Sequence, residues 1–488
     1  MSLDLEAYSQ AWLARDARFD GRIFIAVTST GVYCRPVCPA RRPARENVRF
    51  YACAAAAETA GFRPCLRCRP ETAPGSAAWL GTSVTVSRAL RLIEDGVLDR
   101  DGVEGLAERL GVTDRWLRQL FEEQLGASPL AVARTRRIHF ARRLLGETAM
   151  PLEDVAQASG FGSSRRLRDA IQATFHRSPG ALRGRRAQPA STRAMRLPAV
   201  APFDAGPLLA FFGSRAIPGV ESLADGVYRR AARVGEEAGV VEVRAIPGSP
   251  ALDVRWSGDT TRGLLDLATR VSRVFDLAAD VSAIGAQLRR DPLLAARWPA
   301  HGVRVPGAWD PFEIAIRALL GQQISVAAAR TLAGRLVARA GTPLGRAAAG
   351  DITHLFPSPR QVADAELSGL GLTRAREAAL RGLARAVAEG GVELARPADL
   401  DEGVAALTKL PGIGAWTAHY IAMRAWGDAD AFPAGDLGVR KALARRGRLP
   451  AERETLARAE RWRPWRAYAA ITLWTTEPKP KLSRGRKR

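Results

Sequence analysis

Four cysteines in the first part of the chain have the spacing of a metal site. They form two short pairs, Cys34-x3-Cys38 and Cys65-x2-Cys68, with 26 residues between the pairs. Such pairs can bring four sulfurs around one tetrahedral zinc ion. Cys53 lies between the pairs and is predicted to be a small buried thiol, because free cysteine behaves as a buried hydrophobe. No cysteine follows in the remaining 420 residues, so we expect no iron–sulfur cluster and no second thiol nucleophile there.

A four-cysteine zinc site is usually structural, but the residues around these cysteines indicate a reactive one. Cys34 is preceded by Gly-Val-Tyr and followed by Arg-Pro-Val, and Cys65 is preceded by Ala-Gly-Phe-Arg-Pro. Between them stands Arg45-Glu-Asn-Val-Arg-Phe-Tyr51. With this spacing, residues 5–72 resemble the N-terminal domain of the Ada family. The resemblance implies that a methyl group moves from a DNA methylphosphotriester onto one zinc-bound thiolate.

The spacing alone leaves open which sulfur accepts the methyl group, and the resemblance implies Cys34. It also implies that Thr30, Arg41 and Arg63 flank the DNA phosphate; the alternative is that they are ordinary solvated surface residues. Zinc keeps its sulfur ligands deprotonated, so they are nucleophilic at neutral pH. Methylating one thiolate makes the site one unit less negative, which strengthens its binding to DNA phosphates.

The charge of the chain also indicates a nucleic-acid partner. Its 488 residues include 73 Lys and Arg against 50 Asp and Glu, a formal net charge of +23. A positive charge of this size favours double-stranded DNA as a partner.

No run of about 18 uncharged apolar residues occurs, so no membrane span is predicted. The acidic start, Met-Ser-Leu-Asp-Leu-Glu, is unlike a signal peptide, and metal-binding rather than paired cysteines fit a reducing cytoplasm.

The segment over residues 82–184 contains an internal repeat. Leu117 recurs as Leu167 and Ser128 recurs as Ser178, 50 residues later in each case. Arg follows both leucines and Pro follows both serines. Each copy has the pattern of a helix, a tight turn and a second helix, which predicts two helix-turn-helix units.

The turns and helix starts of both units carry suitable residues. Gly111 and Gly160 permit a sharp reversal, and Thr113 and either Ser163 or Ser164 can cap the helices that follow. A plain pair of packed helices is the alternative, because this pattern alone is weak. Two copies with matched Ser-Pro ends resemble the AraC-type DNA-binding domain, which follows the zinc domain in Ada-family sensors. The resemblance implies helices in successive major grooves and RNA polymerase as the partner of an activator.

Candidate DNA contacts in this segment lie on the second helix of each unit. Leu167 and Ile171 depart from the usual pattern, because these positions are often aromatic. An arginine on a helix is by default a solvated surface residue, and this is the alternative to DNA contact for each candidate arginine. The candidates are Trp116, Arg118, Arg165, Arg166 and Arg168.

The pattern changes from strands to helices in the rest of the chain. Residues 239–246 and 251–256 are predicted to pair as strands around a Pro-Gly turn. After Pro311 the sequence becomes Ala-rich with helical periodicity. Within this part stands Leu410-Pro-Gly-Ile-Gly414, where Gly412 can form a tight turn. The exposed N–H groups at Gly412 and Gly414 can bind a phosphate, and the same turn can hold a bridging monovalent cation.

A carboxylate and several aromatic residues accompany this glycine motif. Asp436 lies 20 residues after Trp416, and Trp474 lies near the end of the chain. With these residues, the sequence over 197–478 resembles the helix-hairpin-helix DNA glycosylases, in particular the AlkA-type 3-methyladenine DNA glycosylase II. The resemblance implies that Asp436 is the catalytic carboxylate and that Trp416, Tyr420 and Trp474 line the pocket for the flipped base.

The chemistry of base excision needs these residue types. Alkylation of a ring nitrogen makes the base cationic and a good leaving group. The enzyme therefore needs an electron-rich aromatic pocket and a carboxylate beside the developing oxocarbenium sugar. The alternatives are a helix N-cap for Asp436 and core packing for the aromatic residues.

At two positions this chain has a residue that differs from related glycosylases. Trp416 stands where the glycosylase/lyase relatives keep a lysine that forms a Schiff base, so excision is expected to leave an intact abasic site. Gln323 stands where AlkA has a leucine wedge. A polar wedge can still fill the hole that a flipped base leaves, although it stacks more weakly.

A chain of 488 residues is too long for one core, so a multidomain protein is predicted. The predicted parts are a small α+β zinc domain (1–75), an all-α double helix-turn-helix domain (82–184), a basic linker (185–195), an α+β AlkA-type N-terminal domain (196–305), an all-α helix-hairpin-helix glycosylase domain (306–478) and a basic tail (479–488).

These parts together predict a cytoplasmic alkylation-damage protein that binds alkylated DNA. It would combine a methylphosphotriester sensor, a transcription activator and a monofunctional glycosylase for bases such as 3-methyladenine. The alternative is a sequence-specific transcription regulator whose glycosylase domain only docks on DNA. Release of a methylated base from alkylated DNA separates the two.

Overall fold

The computed structural model of the chain describes most of its residues. The predicted linker falls outside the described residues up to residue 193, and so does the basic tail over 479–488. No described helix combines the length and the apolar composition that crossing a membrane requires. The described residues are 5–16, 19–70, 84–94, 96–183, 194–397, 399–444 and 447–475.

The N-terminal part is a small α+β unit built on a four-stranded sheet. Its elements are α1 (Leu5–Ala14), β1 (Phe24–Val27), β2 (Val32–Cys34), β3 (Val48–Tyr51), α2 (Ala54–Thr59) and β4 (Arg63–Pro64). The strand order is β3-β1-β2-β4, and only the β2–β4 pair is parallel. All four residues of β1 are buried, because one sheet face packs on Trp12 of α1 and the other on α2.

The next part consists of helices, as predicted. They are α3 (Val84–Glu94), α4 (Val97–Arg109), α5 (Asp114–Leu125), α6 (Pro129–Glu147), α7 (Leu152–Ala158), α8 (Ser164–Phe175) and α9 (Pro179–Leu182). The long helix α6 connects the two helix-turn-helix units. The predicted caps are confirmed: the Thr113 hydroxyl accepts from the Trp116 N–H, and Ser163 rather than Ser164 accepts from the Arg166 N–H.

A five-stranded antiparallel sheet follows, flanked by helices. Its strands are β5 (Ala194–Pro198), β6 (Glu221–Ala224), β7 (Val227–Val234), β8 (Glu237–Ala245) and β9 (Ala251–Trp256), in the order β5-β9-β8-β7-β6. The predicted pairing of β8 with β9 is confirmed, with Val243 opposite Val254. The helices are α10 (Gly206–Ser214), α11 (Leu264–Val274), α12 (Val281–Leu288) and α13 (Pro292–Ala295).

The last part is a bundle of helices around one apolar core. It contains α14 (Pro311–Leu320), α15 (Val326–Ala340), α16 (Pro359–Asp364), α17 (Arg374–Ala388), α18 (Leu400–Thr408), α19 (Ala415–Arg424), α20 (Leu437–Ala442), α21 (Glu452–Ala459) and α22 (Arg466–Thr475). One departure from an all-α domain is a two-residue strand pair, β10 (Thr342–Pro343) with β11 (His354–Leu355). The α18–α19 pair is the helix-hairpin-helix.

A buried ion network holds the five-stranded sheet against α14. Arg230 of β7 contacts Glu313 of α14 at 2.6 Å and Glu221 of β6 at 3.2 Å, and Arg317 of α14 contacts Glu221 at 2.7 Å. Burial alone would raise the pKa of Glu221, but the two arginines outweigh it and hold the pKa at about 2. Glu221 is therefore ionised at neutral pH, and the ion pairs across the junction join the sheet to the bundle.

Candidate functional sites

The four predicted ligand cysteines form one cluster. Cys34 ends β2, Cys38 follows a tight turn, and Cys65 and Cys68 follow β4. Their sulfur atoms all lie within 4.8 Å of one another. A tetrahedron with zinc–sulfur distances of about 2.3 Å has edges of about 3.8 Å, so the cluster fits one zinc ion.

The zinc cluster has a second layer of hydrogen bonds. The Arg35 N–H lies 3.4 Å from Cys68 Sγ, and the Arg35 guanidinium donates to the Cys68 carbonyl at 3.2 Å. The same guanidinium is paired with the buried carboxylate of Asp20, at 2.7 Å from its Nε. Such outer partners orient metal ligands.

Cys53 lies apart from the cluster, as predicted. It precedes α2, and its Sγ lies 3.7 Å from the Leu125 carbonyl oxygen in α5. Burial raises the pKa of the Cys53 thiol to about 11. Cys53 is therefore a protonated packing residue near neutral pH.

Two of the three expected phosphate-flanking residues, Thr30 and Arg63, lie at one edge of the four-stranded sheet of the zinc domain. Thr30 is exposed in the β1–β2 turn, and Arg63 is half-buried in β4, where its N–H donates to the Gly31 carbonyl at 2.9 Å. Arg41 is exposed on the segment that follows Cys38. The backbone thus ties Thr30 and Arg63 to one edge.

The helix-turn-helix candidates lie on the exposed faces of α5 and α8. Trp116 is 44% exposed, a large exposure for a tryptophan, and the four candidate arginines are also exposed. Leu167 and Ile171 are fully buried, like Leu117 and Phe121 of the first unit. The departure noted at Leu167 and Ile171 therefore concerns the core and leaves the exposed face unaffected.

Asp436 is surrounded by three N–H donors. It caps α20 through the Val439 N–H at 2.9 Å. The indole N–H of Trp474 donates to Oδ1 at 2.7 Å, and that of Trp416 donates to Oδ2 at 3.0 Å. The capping alternative and the carboxylate role are thus compatible, because the cap and the indoles fix the direction of one half-buried carboxylate.

The three pocket aromatics lie side by side next to Asp436. Trp416 and Tyr420 stack with ring centroids 5.4 Å apart and an interplanar angle of 14°. Tyr420 and Trp474 are 6.3 Å apart and tilted by 44°. Because Trp416 and Tyr420 stack on each other, there is no slot between these two rings for a third ring. All three side chains are half-buried.

Sequence reasoning missed Arg424, which holds Tyr420 in place. This buried arginine donates to the Tyr420 hydroxyl at 2.7 Å and to the Gly307 carbonyl at 3.2 Å. Its guanidinium also lies 5.0 Å from the Phe211 ring centroid. Burial lowers the pKa of Arg424. The available signal was its position four residues after Tyr420, on the same helix face.

The hairpin turn presents its glycines to solvent. Gly412 has φ +82°, and a Cβ there would lie 2.6 Å from the Ala379 side chain. Gly414 has an ordinary φ of −87°, and a Cβ there would meet nothing within 4 Å. Only Gly412 is therefore required by the fold, whereas Gly414 leaves open space where a phosphate can approach.

The loop with Gln323 is tied to this hairpin. The side chain of Gln322 donates to the Gly412 carbonyl at 2.9 Å and to the Thr417 hydroxyl at 3.0 Å. Gln323 itself is exposed and has φ +59°, a left-handed conformation that is costly for a residue other than glycine. Such strain is common at ligand-binding positions, and here it projects the expected wedge residue into solvent.

Family models match four successive parts of the chain. These are the metal binding domain of Ada (residues 7–71), a helix-turn-helix domain (106–185), the AlkA N-terminal domain (194–310) and the HhH-GPD superfamily base excision DNA repair protein (316–467).

Known proteins match the chain both as a whole and in parts. A Mycobacterium tuberculosis protein described as a probable bifunctional transcriptional activator/DNA repair enzyme AlkA is 44% identical over 98% of this chain and 97% of its own length. Escherichia coli DNA-3-methyladenine glycosylase 2 is 36% identical over 57% of this chain and 95% of its own length. The E. coli bifunctional transcriptional activator/DNA repair enzyme Ada is 37% identical over 33% of this chain and 44% of its own length.

These matches agree with the geometry of the cysteine cluster and the helix-hairpin-helix. The chain belongs to the family of the bifunctional transcriptional activator/DNA repair enzyme AlkA, which joins an Ada-type zinc domain, a helix-turn-helix domain and an AlkA-type DNA glycosylase in one polypeptide.

Proposed function

We propose that the chain excises alkylated bases from DNA, accepts methyl groups from DNA methylphosphotriesters and regulates transcription in response. The observation that carries the excision reaction is the Asp436 carboxylate, held by the indole N–H groups of Trp416 and Trp474 beside the Tyr420 ring. The match to DNA-3-methyladenine glycosylase 2 supports 3-methyladenine as a substrate.

In the proposed excision, the aromatic rings bind the flipped cationic base and Asp436 faces the sugar. The bond between the sugar and the base breaks, and its electron pair leaves with the base, which becomes neutral. The carboxylate stabilises the positive charge that develops on the sugar. Water then adds to the sugar carbon and loses a proton. No lysine is present at the Trp416 position, so the strand keeps an intact abasic site.

In the proposed complex, the hairpin and the neighbouring loop hold the DNA. The N–H groups at Gly412 and Gly414 would donate to a backbone phosphate. A monovalent cation, when bound, would be held by carbonyl oxygens of the hairpin and would add positive charge beside that phosphate. Gln323 enters the stack where the base has left. Its strained backbone and the hydrogen bonds of Gln322 to the hairpin support this role, because they fix the wedge relative to the phosphate site.

In the proposed methyl transfer, Cys34 Sγ is the acceptor. Zinc, when bound, keeps the sulfurs deprotonated and thus nucleophilic. Sγ attacks the methyl carbon, the bond between that carbon and the ester oxygen breaks, and the phosphodiester leaves as an anion. Thr30 and Arg63 at the sheet edge, together with the exposed Arg41, would hold the phosphate. The methyl thioether is a poor methyl donor, because a thiolate would have to leave, so each chain reacts once.

The proposed regulatory role follows from the charge change. The methylated cluster repels DNA less, which raises the affinity for DNA. The exposed faces of α5 and α8, with Trp116 and the arginines at 118, 165, 166 and 168, then enter successive major grooves. RNA polymerase is the proposed partner of the bound activator.

One assay of the purified protein tests both reactions. A methylated duplex that also carries methylphosphotriesters is incubated with the protein, and free base, strand integrity and protein mass are measured. We expect released 3-methyladenine, abasic strands that break only on alkali treatment, and one added methyl per chain, on Cys34. Absence of free base would favour a regulator whose glycosylase domain only docks on DNA.

A further inference from the structure

A cluster of polar side chains joins the zinc domain to the helix-turn-helix domain. Tyr33 of β2 donates its hydroxyl to Glu58 Oε1 of α2 at 2.8 Å. From the other domain, His139 Nε2 of α6 lies 3.0 Å from the same oxygen, and the Thr135 hydroxyl donates to Glu58 Oε2 at 2.7 Å. Both carboxylate oxygens of Glu58 are thus paired across the interface.

The cluster is largely shielded from water. The side chains of Glu58 and His139 are 15% and 14% exposed, and Tyr33 is fully buried. Burial alone would raise the pKa of Glu58, but the bonds from His139, Thr135 and Tyr33 outweigh it and lower the pKa. Hydrogen bonds to a charged group are worth more than neutral ones, and breaking one inside a protein is costly.

Small residues allow the two domains to approach closely around this cluster. Ala55 and Ala56 of α2 are buried against Ala127, which lies between α5 and α6. Cys53 adds its contact with the Leu125 carbonyl. The covalent connection between the domains runs through residues 71–83, outside the described part of the chain. Among the described residues, this interface is what places the two domains relative to one another.

The cluster is also connected to the zinc ligands through Tyr33. Tyr33 directly precedes Cys34, and its carbonyl accepts the N–H of Cys65 at 2.9 Å. Its backbone thus lies between two ligand segments, while its hydroxyl reaches the helix that connects both helix-turn-helix units. A change at the sulfurs can therefore reach α6 through the Tyr33–Cys34 backbone and the 3.0 Å hydrogen bond between the Tyr33 hydroxyl and His139 Nε2.

We propose that the Glu58 cluster locks the zinc domain onto α6, so that both domains read DNA as one rigid unit with a fixed spacing. This deepens the proposed regulatory function and rests on it. The partner of this rigid unit is a DNA duplex. In it, the phosphate bound by the zinc domain lies at a fixed distance from the two major-groove sites bound by α5 and α8. Affinity gained at the zinc domain on methylation then adds directly to the affinity of the helix-turn-helix units.

The first test replaces a residue in the helix-turn-helix domain and measures the effect on amide exchange in the zinc domain. In the zinc-loaded full-length protein, we replace His139→Ala on α6 and measure amide hydrogen exchange in β2 and α2. We expect exchange at the interface side of the zinc domain to quicken at least about tenfold, because a charged hydrogen bond is lost. Glu122→Ala, at an exposed position on α5, is the control and should leave exchange unchanged.

Glu58→Gln provides the reciprocal test, with exposed Glu46→Gln as its control. It should quicken exchange in α6 while zinc content stays at one per chain, which excludes unfolding of the zinc domain as the cause. Unchanged exchange in both His139→Ala and Glu58→Gln would overturn the lock.

The functional readout uses a duplex with a single methylphosphotriester. His139→Ala should accept the methyl group as the wild type does, but its methylated form should bind the duplex about tenfold more weakly. Equal affinities of the two methylated proteins would overturn the role of the lock in DNA reading. A wild type that accepts no methyl group contradicts the proposed function instead, and the exchange result still decides whether the domains are locked.

Discussion

At the residue scale, the site depends on three N–H donors that fix the carboxylate of Asp436. Asp436 receives a backbone N–H from the helix that it caps and two indole N–H groups from residues 20 and 38 positions away. Each indole thereby has two functions: its ring contributes to the aromatic surface and its N–H orients the charge. Replacing a tryptophan by phenylalanine separates these functions.

We predict that Trp474→Phe slows base release about tenfold, because a hydrogen bond to a charged group is lost while the aromatic ring stays. Single-turnover release of 3-methyladenine measures the effect. The control is Trp465→Phe, which removes a comparable indole bond, 3.1 Å long, to Gln287. Equal rates in Trp474→Phe and the wild type would show that the indole bond does not contribute to catalysis.

At the element scale, the two glycines of the helix-hairpin-helix have different structural roles. Gly412 needs its positive φ and has Ala379 against the position of a Cβ, whereas Gly414 has neither constraint. The sequence motif alone does not show this difference between the two glycines. The backbone conformation and the neighbouring helix distinguish them.

We predict that Gly412→Ala destabilises the glycosylase part by about 1–3 kcal/mol through backbone strain and the clash with Ala379. Gly414→Ala should leave the unfolding midpoint unchanged and weaken DNA binding, because its methyl group occupies the space for a phosphate. Urea unfolding and binding to abasic-site DNA measure the two effects. A stable Gly412→Ala, or a Gly414→Ala with normal affinity, would contradict this assignment.

The junction between α11 and α22 should respond to pH through Asp276. Its carboxylate accepts from the Tyr468 hydroxyl at 3.0 Å and the Val305 N–H at 3.1 Å, and burial raises its pKa to about 6. Between pH 4 and pH 6 the folded chain therefore binds more protons than the unfolded chain, so this group lowers stability as pH rises.

We predict that Asp276→Asn gains up to about 3 kcal/mol in stability relative to the wild type when the pH rises from 4 to 7.5. Asparagine also tolerates the left-handed backbone at this position, φ +49°. Urea unfolding of both proteins at each pH gives the difference, in which the other carboxylates cancel. A difference that does not change with pH would contradict the raised pKa.

Local patterns predicted the elements better than the contacts between them. The cysteine spacing, the caps at Thr113 and Ser163 and the β8–β9 hairpin are all encoded within short segments, and the structure confirms them. The Glu58 cluster was missed because its partners come from distant segments. For Arg424, the spacing from Tyr420 was a local signal, but the carbonyls of Pro306 and Gly307 that fix its guanidinium are distant in sequence. Spacing alone does not show that this arginine is buried or that Glu58 faces another domain.

At the scale of the whole molecule, zinc, helix-turn-helix and glycosylase parts keep separate chemistries within one chain. The zinc domain packs on α6 through the Glu58 cluster and reaches the five-stranded part through the Arg22–Asp280 ion pair, at 2.8 Å. The described contacts of the Asp436 site lie in the helical bundle and, through Arg424, reach Gly307 and Phe211 of α10, and none of these lies in the zinc domain. Loss of zinc should therefore leave base excision intact.

We predict that Cys65→Ser abolishes zinc binding and methyl acceptance, because three thiolates no longer complete the tetrahedral site. Base release should stay within a factor of about two of the wild type, since the changes are distant and share no partner. Metal analysis, protein mass after reaction and base release measure the three outcomes. Loss of excision in this variant would show that the glycosylase depends on the zinc domain.

The central claim is that Asp436 is the carboxylate of a DNA glycosylase, and Asp436→Asn tests it most directly. Asparagine keeps the size and the helix cap but removes the charge. The matched control is Asp310→Asn, which changes an exposed cap of α14 that bonds two backbone N–H groups and no indole. In single-turnover release of 3-methyladenine, we expect Asp436→Asn to be slower by about 10²–10³, with unchanged or slightly tighter binding to abasic-site DNA. Asp310→Asn should match the wild type, and near-normal excision by Asp436→Asn would contradict the account.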